Sequence, residues 1–408
     1  MNVQSGHRKN SGVLGPLRAL NFFMADLQAG IGPFLGIFLL SHGWKSGPIG
    51  SVMTIGGVAG MLLTTPAGAL IDVTQRKRMY VVISAICTTI ASAIILLSQN
   101  FWLVGVAQVA TAVAGSVIGP AVIGITLGLV RQAGFNRQNG FNQAYNHAGN
   151  IAGAALSGLL GFRYGMPAIF LLAALFGILS IASVLFIPGK AIDNKAARGM
   201  KEGEEGDGKA SGLKVVLQCK PLLILAVALA FFHLGNGGML PLYGLAAASR
   251  NQGNPSVFVA MTIVIAQLVM VGTSLIAMRM ADKQGYWLVL LISFVALPIR
   301  GLIAAHWIDH TGLYPVQILD GIGAGLQSAA VPGLVARILN GTGRVNVGQG
   351  AVMTMQGLGA ALSPAMGGWM AQSIGYPSTF LVLGGLALVS IGLWLGFSGT
   401  LKTACDHR

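Results

Sequence analysis

Long apolar runs follow one another along almost the whole of this 408-residue chain. A run of about 20 apolar residues is long enough to cross a bilayer as an α-helix. Only 9% of the residues are charged, whereas soluble domains carry about 25%. The runs are continuous and do not alternate with polar residues, which argues against a transmembrane β-barrel. We therefore predict an all-α membrane protein and exclude a soluble enzyme, a disordered regulator and a disulfide-stapled secreted scaffold.

Glycine, proline and charged residues divide the chain into twelve predicted transmembrane helices, six on each side of one long polar segment. The predicted spans lie near 15–41, 48–71, 79–98, 101–130, 140–162, 166–188, 217–247, 256–280, 286–305, 311–338, 347–371 and 376–399. This pattern predicts an N-terminal six-helix bundle at 1–188, a cytosolic linker at 189–214 and a C-terminal six-helix bundle at 215–408.

The positions of the basic residues predict the orientation of these helices. With the amino terminus in the cytosol, all but four of the 25 Lys and Arg fall in cytosolic segments, the exceptions being Lys45, Arg163, Arg250 and Arg300. This distribution follows the positive-inside rule and predicts that both termini lie in the cytosol. The membrane is expected to be a bacterial inner (plasma) membrane. The net charge of +14 sits in short clusters between spans, so no nucleic-acid partner is expected. Arg300 is expected to reach the outer interface by snorkelling.

The two halves of the chain repeat each other at an offset of about 208 residues. Matching positions are Gly30, Pro33 and Gly36 with Gly238, Pro241 and Gly244, Gln28 with Asn236, and Arg137 and Asn139 with Arg344 and Asn346. Repeated halves around a midplane site are typical of transporters that work by alternating access.

Two cytosolic loops carry a recognisable motif. The segment from Gly68 to Arg78 resembles the loop motif G-x-x-x-D-[RK]-x-G-[RK]-[RK] of the major facilitator superfamily, with departures at Val73 and Gln75. Asp282-Lys283-Gln284-Gly285 is similar to its second copy. The resemblance covers essentially the whole chain and implies twelve helices in two pseudo-symmetric six-helix bundles. It also implies a conformational latch formed by Gly68, Asp72, Arg76, Arg78, Asp282 and Lys283. The alternative is that these charges only orient the helices.

Glycines of the fifth span carry a second resemblance. Gly140, Gly149, Gly153, Ala154, Ser157 and Gly158 are similar to the antiporter motif G-x8-G-x3-G-P-x2-G-G of drug exporters in that superfamily. Close helix packing explains the same glycines. The exporter element R-x-x-Q-G is altered in the fourth span, where Gly105 stands in place of the Arg. The tenth span carries a distorted copy with Asp320 at the Gln position.

Ionisable side chains inside the predicted spans are the proton-coupling candidates. Of the eleven acids only Asp26 and Asp320 fall within spans, where a carboxylate costs about 2.5–3.5 kcal/mol on insertion scales. Both lie on spans that line the central cavity in the resembled fold. His233 and His147 are added because imidazole titrates near neutral pH. The alternative is that each group only makes a fixed helix-helix hydrogen bond.

Amide side chains form a stripe along the fifth span. Asn139, Gln143, Asn146 and Asn150 follow a helical spacing that places them on one face. Substrate binding and helix-helix adhesion are both compatible with such a stripe. The substrate-cavity candidates are Gln28, Asn142, Gln143, Asn146, Asn150, Asn236 and Gln327.

Together these features predict a secondary active transporter that moves a small organic solute by alternating access, by proton-coupled export. The alternatives are proton-driven uptake of a metabolite or metal chelate, and a non-transporting membrane receptor or channel. The nucleotide-binding pattern G-x-x-x-x-G-K-[ST] does not occur in the sequence. We expect a monomer whose partners are its substrate, protons and the lipid bilayer, with no enzymatic activity, catalytic residue, metal or cofactor.

Replacing Asp72 with Asn is expected to slow transport while substrate binding is kept. The reason is that the motif loop lies at the predicted cytosolic edge, far from a central cavity. Transport into proteoliposomes and binding to the purified protein are the two measurements. Binding lost in step with transport would contradict a role as a latch.

Overall fold

The computed structural model describes residues 4–29, 31–194, 196, 219–339 and 345–405, and within them the chain is α-helical without a strand. The helices are α1 Gln4–Ala29, α2 Gly32–Ser41, α3 Ser46–Val73, α4 Lys77–Leu97, α5 Phe101–Tyr164, α6 Met166–Leu185, α7 Lys220–Asn236, α8 Met239–Ser249, α9 Pro255–Gln284, α10 Tyr286–His306, α11 His310–Ile338, α12 Val345–Ile374, α13 Tyr376–Gly396 and α14 Ser398–Cys405. The prediction of an all-α membrane protein is confirmed.

Nine helical segments of the described chain are long and apolar enough to cross a membrane. Of the other three predicted spans, the first is found as two shorter apolar helical stretches, Val13–Ala25 and Gly32–Ser41. The fifth and eleventh do not reach this criterion. All three are nevertheless helical, and the helix order is compatible with twelve spans.

Four of the predicted spans are interrupted or joined in ways that hydropathy did not show. The first span is divided between α1 and α2, and the seventh between α7 and α8. The fourth and fifth spans form one helical run, α5, with a kink at Arg131, whose φ of 55° and ψ of 179° are not helical. This conformation costs a non-glycine residue about 1–3 kcal/mol. The Arg131 guanidinium lies 3.2 Å from the carboxylate of Asp193.

Short polar side chains begin several helices. Asn100 accepts hydrogen bonds at the start of α5, Asn254 at the start of α9, and Asp309 at the start of α11. Each satisfies backbone N–H groups that have no partner within the helix. The backbone N–H of Gly312, 2.7 Å from Asp309 Oδ1, holds the pKa of that loop carboxyl below its usual value.

The described residues group into two compact units. Unit 1 takes those of 1–32 and 59–207, and unit 2 those of 33–58 and 208–408. The second unit therefore includes α2 and the first part of α3, which pack against later helices. Ala365 N donates to Thr54 Oγ1 at 2.9 Å, and Trp369 Nε1 donates to Ser51 Oγ at 3.0 Å. The division of the chain at the 189–214 linker stays a prediction.

The core of unit 1 is aliphatic and joins α1, the end of α3, α4, the first arm of α5 and α6. Its buried members include Leu17, Ile71, Val81, Ile118 and Val184. The outward face of α4 is equally apolar but exposed, with large side chains recurring every three or four residues: Ile83, Ile86, Ile90, Ile94 and Leu97. An exposed apolar stripe of this length is the surface expected of a helix that faces lipid.

Helix α1 crosses α5 at Gly149. A Cβ atom added there would collide with the backbone carbonyl of Phe22. The two helices approach closely because glycine has no side chain, as at other small-residue crossings in membranes. Gly140 lies on the same arm of α5, and a Cβ atom added there meets open space.

We expect Gly149→Ala to lower the free energy of unfolding by about 1–3 kcal/mol, as overpacking does in well-packed cores. Gly140→Ala is the control and is expected to stabilise by up to about 1 kcal/mol, since alanine favours helix. Unfolding of the detergent-purified variants measures both effects. Equal changes at the two positions would show that α1 and α5 do not make this close crossing.

Candidate functional site

A buried ion pair joins three helices of unit 2. Arg300 Nη1 of α10 lies 2.7 Å from Asp320 Oδ1 of α11, and the two side chains are 1% and 14% exposed. The same nitrogen donates to Asn236 Oδ1, at the end of α7, at 2.6 Å. The expectation that Arg300 snorkels to the outer interface is therefore wrong. The acid on the neighbouring helix provides the partner that a buried guanidinium requires.

Other polar atoms of this region have no hydrogen-bond partner in the described part of the chain. They are Nε and Nη2 of Arg300 and both amide atoms of Gln317, one turn before Asp320 on α11. A buried polar atom left in this way costs about 1–3 kcal/mol. Such unsatisfied groups are uncommon in native structures and indicate a region that is not optimised for stability alone.

A second set of polar side chains lies beside the ion pair in unit 2. His233 Nε2 of α7 is 3.2 Å from Gln356 Nε2 of α12, and its ring also interacts with Gln327 and with the charge of Asp320. Gln327 Nε2 of α11 donates to Ser293 Oγ of α10 at 2.9 Å. Together with the ion pair and Asn236 these side chains form what we call the ion-pair cluster.

Unit 1 contains a polar site of a different kind, built from amides. Gln138 Nε2 donates to Asn142 Oδ1 at 2.8 Å, and Asn142 Nδ2 donates to Thr126 Oγ1 at 2.9 Å. Asn150 Nδ2 donates to Asn146 Oδ1 at 3.3 Å, and Asn146 Nδ2 lies 3.4 Å from the backbone oxygen of Asn21. These bonds connect the two arms of α5 with each other and with α1.

The amides surround a cavity of about 110 Å³, which we call the amide cavity. It is lined by Asn21, Met24, Gly119, Val122, Ile123, Thr126, Asn139, Asn142, Gln143 and Asn146. Three of the predicted substrate-cavity residues, Asn142, Gln143 and Asn146, therefore line one cavity, and their role in binding substrate stays a prediction. Asn150 lies one turn further along α5 and contacts the cavity through Asn146.

The side chains of Asp26, Gln28 and Asp72 lie outside the described residues. His147 is half-buried on α5.

Basic residues of the predicted latch lie at helix ends. Arg78 donates to the backbone oxygens of Val184 and Leu185, at the end of α6, at 3.1 and 2.9 Å. The neighbouring Lys77, which occupies the last basic position of the motif but was not among the predicted latch residues, is 2% exposed and donates to Ile71 O at the end of α3 at 2.8 Å. Both cations therefore lie where the carbonyl ends of helices favour positive charge.

The other latch residues whose side chains the structure describes make no comparable contact. Arg76, Asp282 and Lys283 are exposed, and a Cβ atom added at Gly68 meets open space. Their assignment as a latch stays a prediction.

Several residues of the two sites were missed by reasoning from sequence. Arg300 could have been found, because an arginine and an aspartate on adjacent predicted spans are natural partners in a bilayer. Thr126, Ser293 and Gln356 had no such signal, since hydroxyls and single amides are frequent in transmembrane helices. Only the packing of the helices brings them to the sites.

Polar clusters buried within apolar helices of a repeated chain define a membrane solute transporter. The chain belongs to the Major Facilitator Superfamily, whose family model matches residues 18–316 and 258–402. The resemblance drawn from the cytosolic loops is confirmed. The protein is thus an integral membrane secondary transporter with the fold of that superfamily.

Curated relatives and solved structures agree with this family. An uncharacterized MFS-type transporter of Mycobacterium tuberculosis (strain CDC 1551 / Oshkosh) is 38% identical over 381 residues, which cover 93% of this chain and 91% of the relative. The same values hold for the protein of strain ATCC 25618 / H37Rv.

Three solved structures share the fold at low sequence identity. A crystal structure of a mutant of the nucleoside transporter NupG superposes with a TM-score of 0.80 at 15% identity, covering 94% of this chain and 99% of that one. A POT family transporter in complex with 5-aminolevulinic acid gives 0.76 at 13% identity, covering 95% and 96%. A bacterial homologue of the human lysosomal transporter Spinster, inward-facing and unoccupied, gives 0.71 at 12% identity, covering 98% and 99%.

Removing one partner of the ion pair is expected to destabilise the protein more than removing both. Arg300→Met strands a buried carboxylate and Asp320→Leu strands a buried guanidinium, each at about 3–5 kcal/mol. The double variant leaves no buried charge and should recover much of that loss. Thermal unfolding of the purified variants measures the coupling, with exposed Arg163→Met as a control near zero. A double variant that loses the sum of both single losses would contradict a direct interaction.

Proposed function

We propose that this transporter exports a small organic solute in exchange for protons, with Asp320 as the residue that carries the coupling proton. The observation that supports the proposal is the buried ion pair of Asp320 with Arg300, which ties α11 to α10 and, through Asn236, to α7. A single proton placed on the carboxylate removes one charge of the pair. Protonation is thereby linked to the packing of three helices.

The two partners differ in what they can do. Asp320 keeps 14% of its side chain exposed, while Arg300 keeps 1%, so the acid is the more accessible partner for a proton. An arginine does not release its proton in proteins, and its charge is constant throughout the cycle. His233, which interacts with the charge of Asp320, is placed to relay the proton.

Alternating access then follows from an equilibrium between a paired and an unpaired cluster. With Asp320 ionised, the ion pair and its bond to Asn236 favour the helix arrangement described above. With Asp320 protonated, Arg300 loses its charge partner, and an arrangement that brings other acceptors to the guanidinium becomes more favourable. A solute that binds the two arrangements with different affinity couples its own movement to that of the proton.

Export is the proposed direction of transport, because the glycines of the fifth span resemble the antiporter motif of drug exporters. Gly149 contacts the backbone of α1, and Gly153, Ala154 and Ser157 are buried on the same arm of α5. Proton-driven uptake of a metabolite or metal chelate is the second candidate, because Gly105 replaces the arginine of the exporter element. The two candidates differ in whether the solute moves against or with the proton.

The remaining features of the proposal concern the whole chain. We propose two six-helix bundles at 1–188 and 215–408 joined by a cytosolic linker at 189–214, in a monomer with both termini in the cytosol of a bacterial cell. The latch of Asp72 and its basic neighbours controls the rate at which the bundles exchange arrangements.

Asp320→Asn is expected to abolish accumulation driven by a pH gradient while solute exchange at equal pH survives. Exchange needs no net proton movement, and Asn cannot be charged. The measurement uses proteoliposomes and a labelled solute found by thermal-shift screening of the purified protein. Asp309→Asn is the matched control, because it removes a carboxylate just before the same helix and Asn remains a good N-cap.

Three results would overturn parts of this proposal. Gradient-driven accumulation by Asp320→Asn protein would show that Asp320 is structural. The uncoupled pattern in Asp26→Asn and not in Asp320→Asn would transfer the role to the first span. Accumulation with the inward proton gradient would replace export by uptake, and the absence of counterflow of labelled solute would indicate a channel.

A further inference from the structure

Among the residues that the structure describes, the lining of the amide cavity of unit 1 is polar and contains no ionisable side chain. Its ten lining residues are four asparagines, one glutamine, one threonine, one glycine and three apolar residues. Asn21, Thr126 and Asn142 are buried to 95% or more, with 5%, 1% and 2% of their surface exposed. Polar groups held this deeply in an apolar protein are costly unless they have a partner or a function.

The lining amides differ in whether their side chains are hydrogen-bonded to the described part of the chain. Asn142 and Thr126 bond each other, and Asn146 bonds α1. Asn139, which is half-buried, and Gln143, which is exposed, make no side-chain hydrogen bond to the described part of the chain. Each carboxamide offers two N–H donors and one carbonyl acceptor. The cavity therefore presents unused donors and unused acceptors next to each other.

This pattern discriminates between classes of ligand. A carboxylate or phosphate only accepts hydrogen bonds and would leave the amide carbonyls unpaired. An ammonium group only donates and would leave the amide N–H groups unpaired. Either ion would also lose its hydration without meeting an opposite charge in the lining, at a cost of several kcal/mol. A hydroxyl or carboxamide group both donates and accepts, and matches the lining without a charge.

The cavity is kept open at Gly119. This residue lines it, and a Cβ atom added there meets no atom within 4 Å. Gly115, one turn earlier on α5, also has open space around an added Cβ but is not part of the lining. At 1.5 Å per residue, Thr126 lies roughly 8 Å and Gly119 roughly 18 Å along the helix from the kink at Arg131.

We propose that the amide cavity is a substrate subsite for an uncharged group that both donates and accepts hydrogen bonds, such as the hydroxyls of a sugar or a carboxamide. This assignment rests on the proposed transport function and deepens it. Unit 1 holds the neutral polar part of the solute, while the ion-pair cluster of unit 2 handles the proton. At about 10–15 Å³ for each water-sized group, a cavity of about 110 Å³ holds roughly 7–11 heavy atoms, about the size of one sugar ring or one aromatic carboxamide.

Matched pairs of small molecules test the ligand class. The probes are glucose against glucuronate and nicotinamide against nicotinate, each pair differing chiefly by a charge. Thermal shift and calorimetric titration of the full chain in detergent are the measurements. At least one neutral probe is expected to bind tenfold or more tightly than its charged partner, and the pair that responds distinguishes hydroxyl from carboxamide. Preferential binding of a charged probe, or binding of neither pair, overturns the assignment.

Filling the cavity tests its location. Gly119→Leu is expected to weaken binding of the responding probe at least tenfold, and Gly119→Ala to weaken it less. Gly115→Leu is the control on the same helix and should change binding less than twofold. Alanine and leucine both favour helix more than glycine does, so all three variants are expected to fold. A folded Gly119→Leu protein that binds normally, or equal losses at Gly115 and Gly119, overturns the subsite.

The cavity-filling test at Gly119 and the coupling test at Asp320 can fail independently of each other. If filling at Gly119 abolishes probe binding but Asp320→Asn keeps gradient-driven transport, the subsite stands and the proton assignment fails. If Asp320→Asn uncouples transport while filling at Gly119 has no effect, the proton assignment stands and the subsite fails.

Discussion

Moving a charge from water into the apolar interior of a membrane protein is costly. In unit 2 an ion pair between two helices offsets that cost. Arg300 is almost fully buried and is tolerated because Asp320 and Asn236 meet the same guanidinium nitrogen. These contacts require α7, α10 and α11 to lie at a particular separation. The same pair is sensitive to a single proton, since neutralising the acid leaves the cation without its partner. Stability and the proposed proton coupling therefore depend on one interaction.

The two units handle polarity in different ways. Unit 1 buries amides and a hydroxyl, which need hydrogen bonds but no charge partner, around a cavity opened by Gly119. Unit 2 contains an ion pair, an imidazole and amides, and these side chains make hydrogen bonds within the ion-pair cluster. The unlike polar content of the two units permits a proposed division of roles, in which unit 1 recognises a neutral solute and unit 2 responds to pH. This division is the physical basis of the proposed mechanism.

Glycine has a second role at the helix crossings. The backbone of α1 approaches α5 at Gly149, and the break between α7 and α8 lets Gly238 N–H bond the hydroxyl of Ser363 at 2.7 Å. Without a hydrophobic effect between helices in lipid, such close contacts supply much of the association energy. The glycines of the fifth span, which resemble an antiporter motif, therefore also have a packing function.

The sequence by itself determined the fold class, the approximate span positions and the family. These follow from hydropathy, from the repeat of the halves and from two loop motifs, all of which are local patterns. It also placed Asn142, Gln143 and Asn146 in one candidate site. Only the tertiary structure decided that Arg300 faces Asp320, because hydropathy along a helix does not report which neighbour covers each face. The cavity at Gly119 was equally invisible, since a void is created by the packing of several helices and by no single segment.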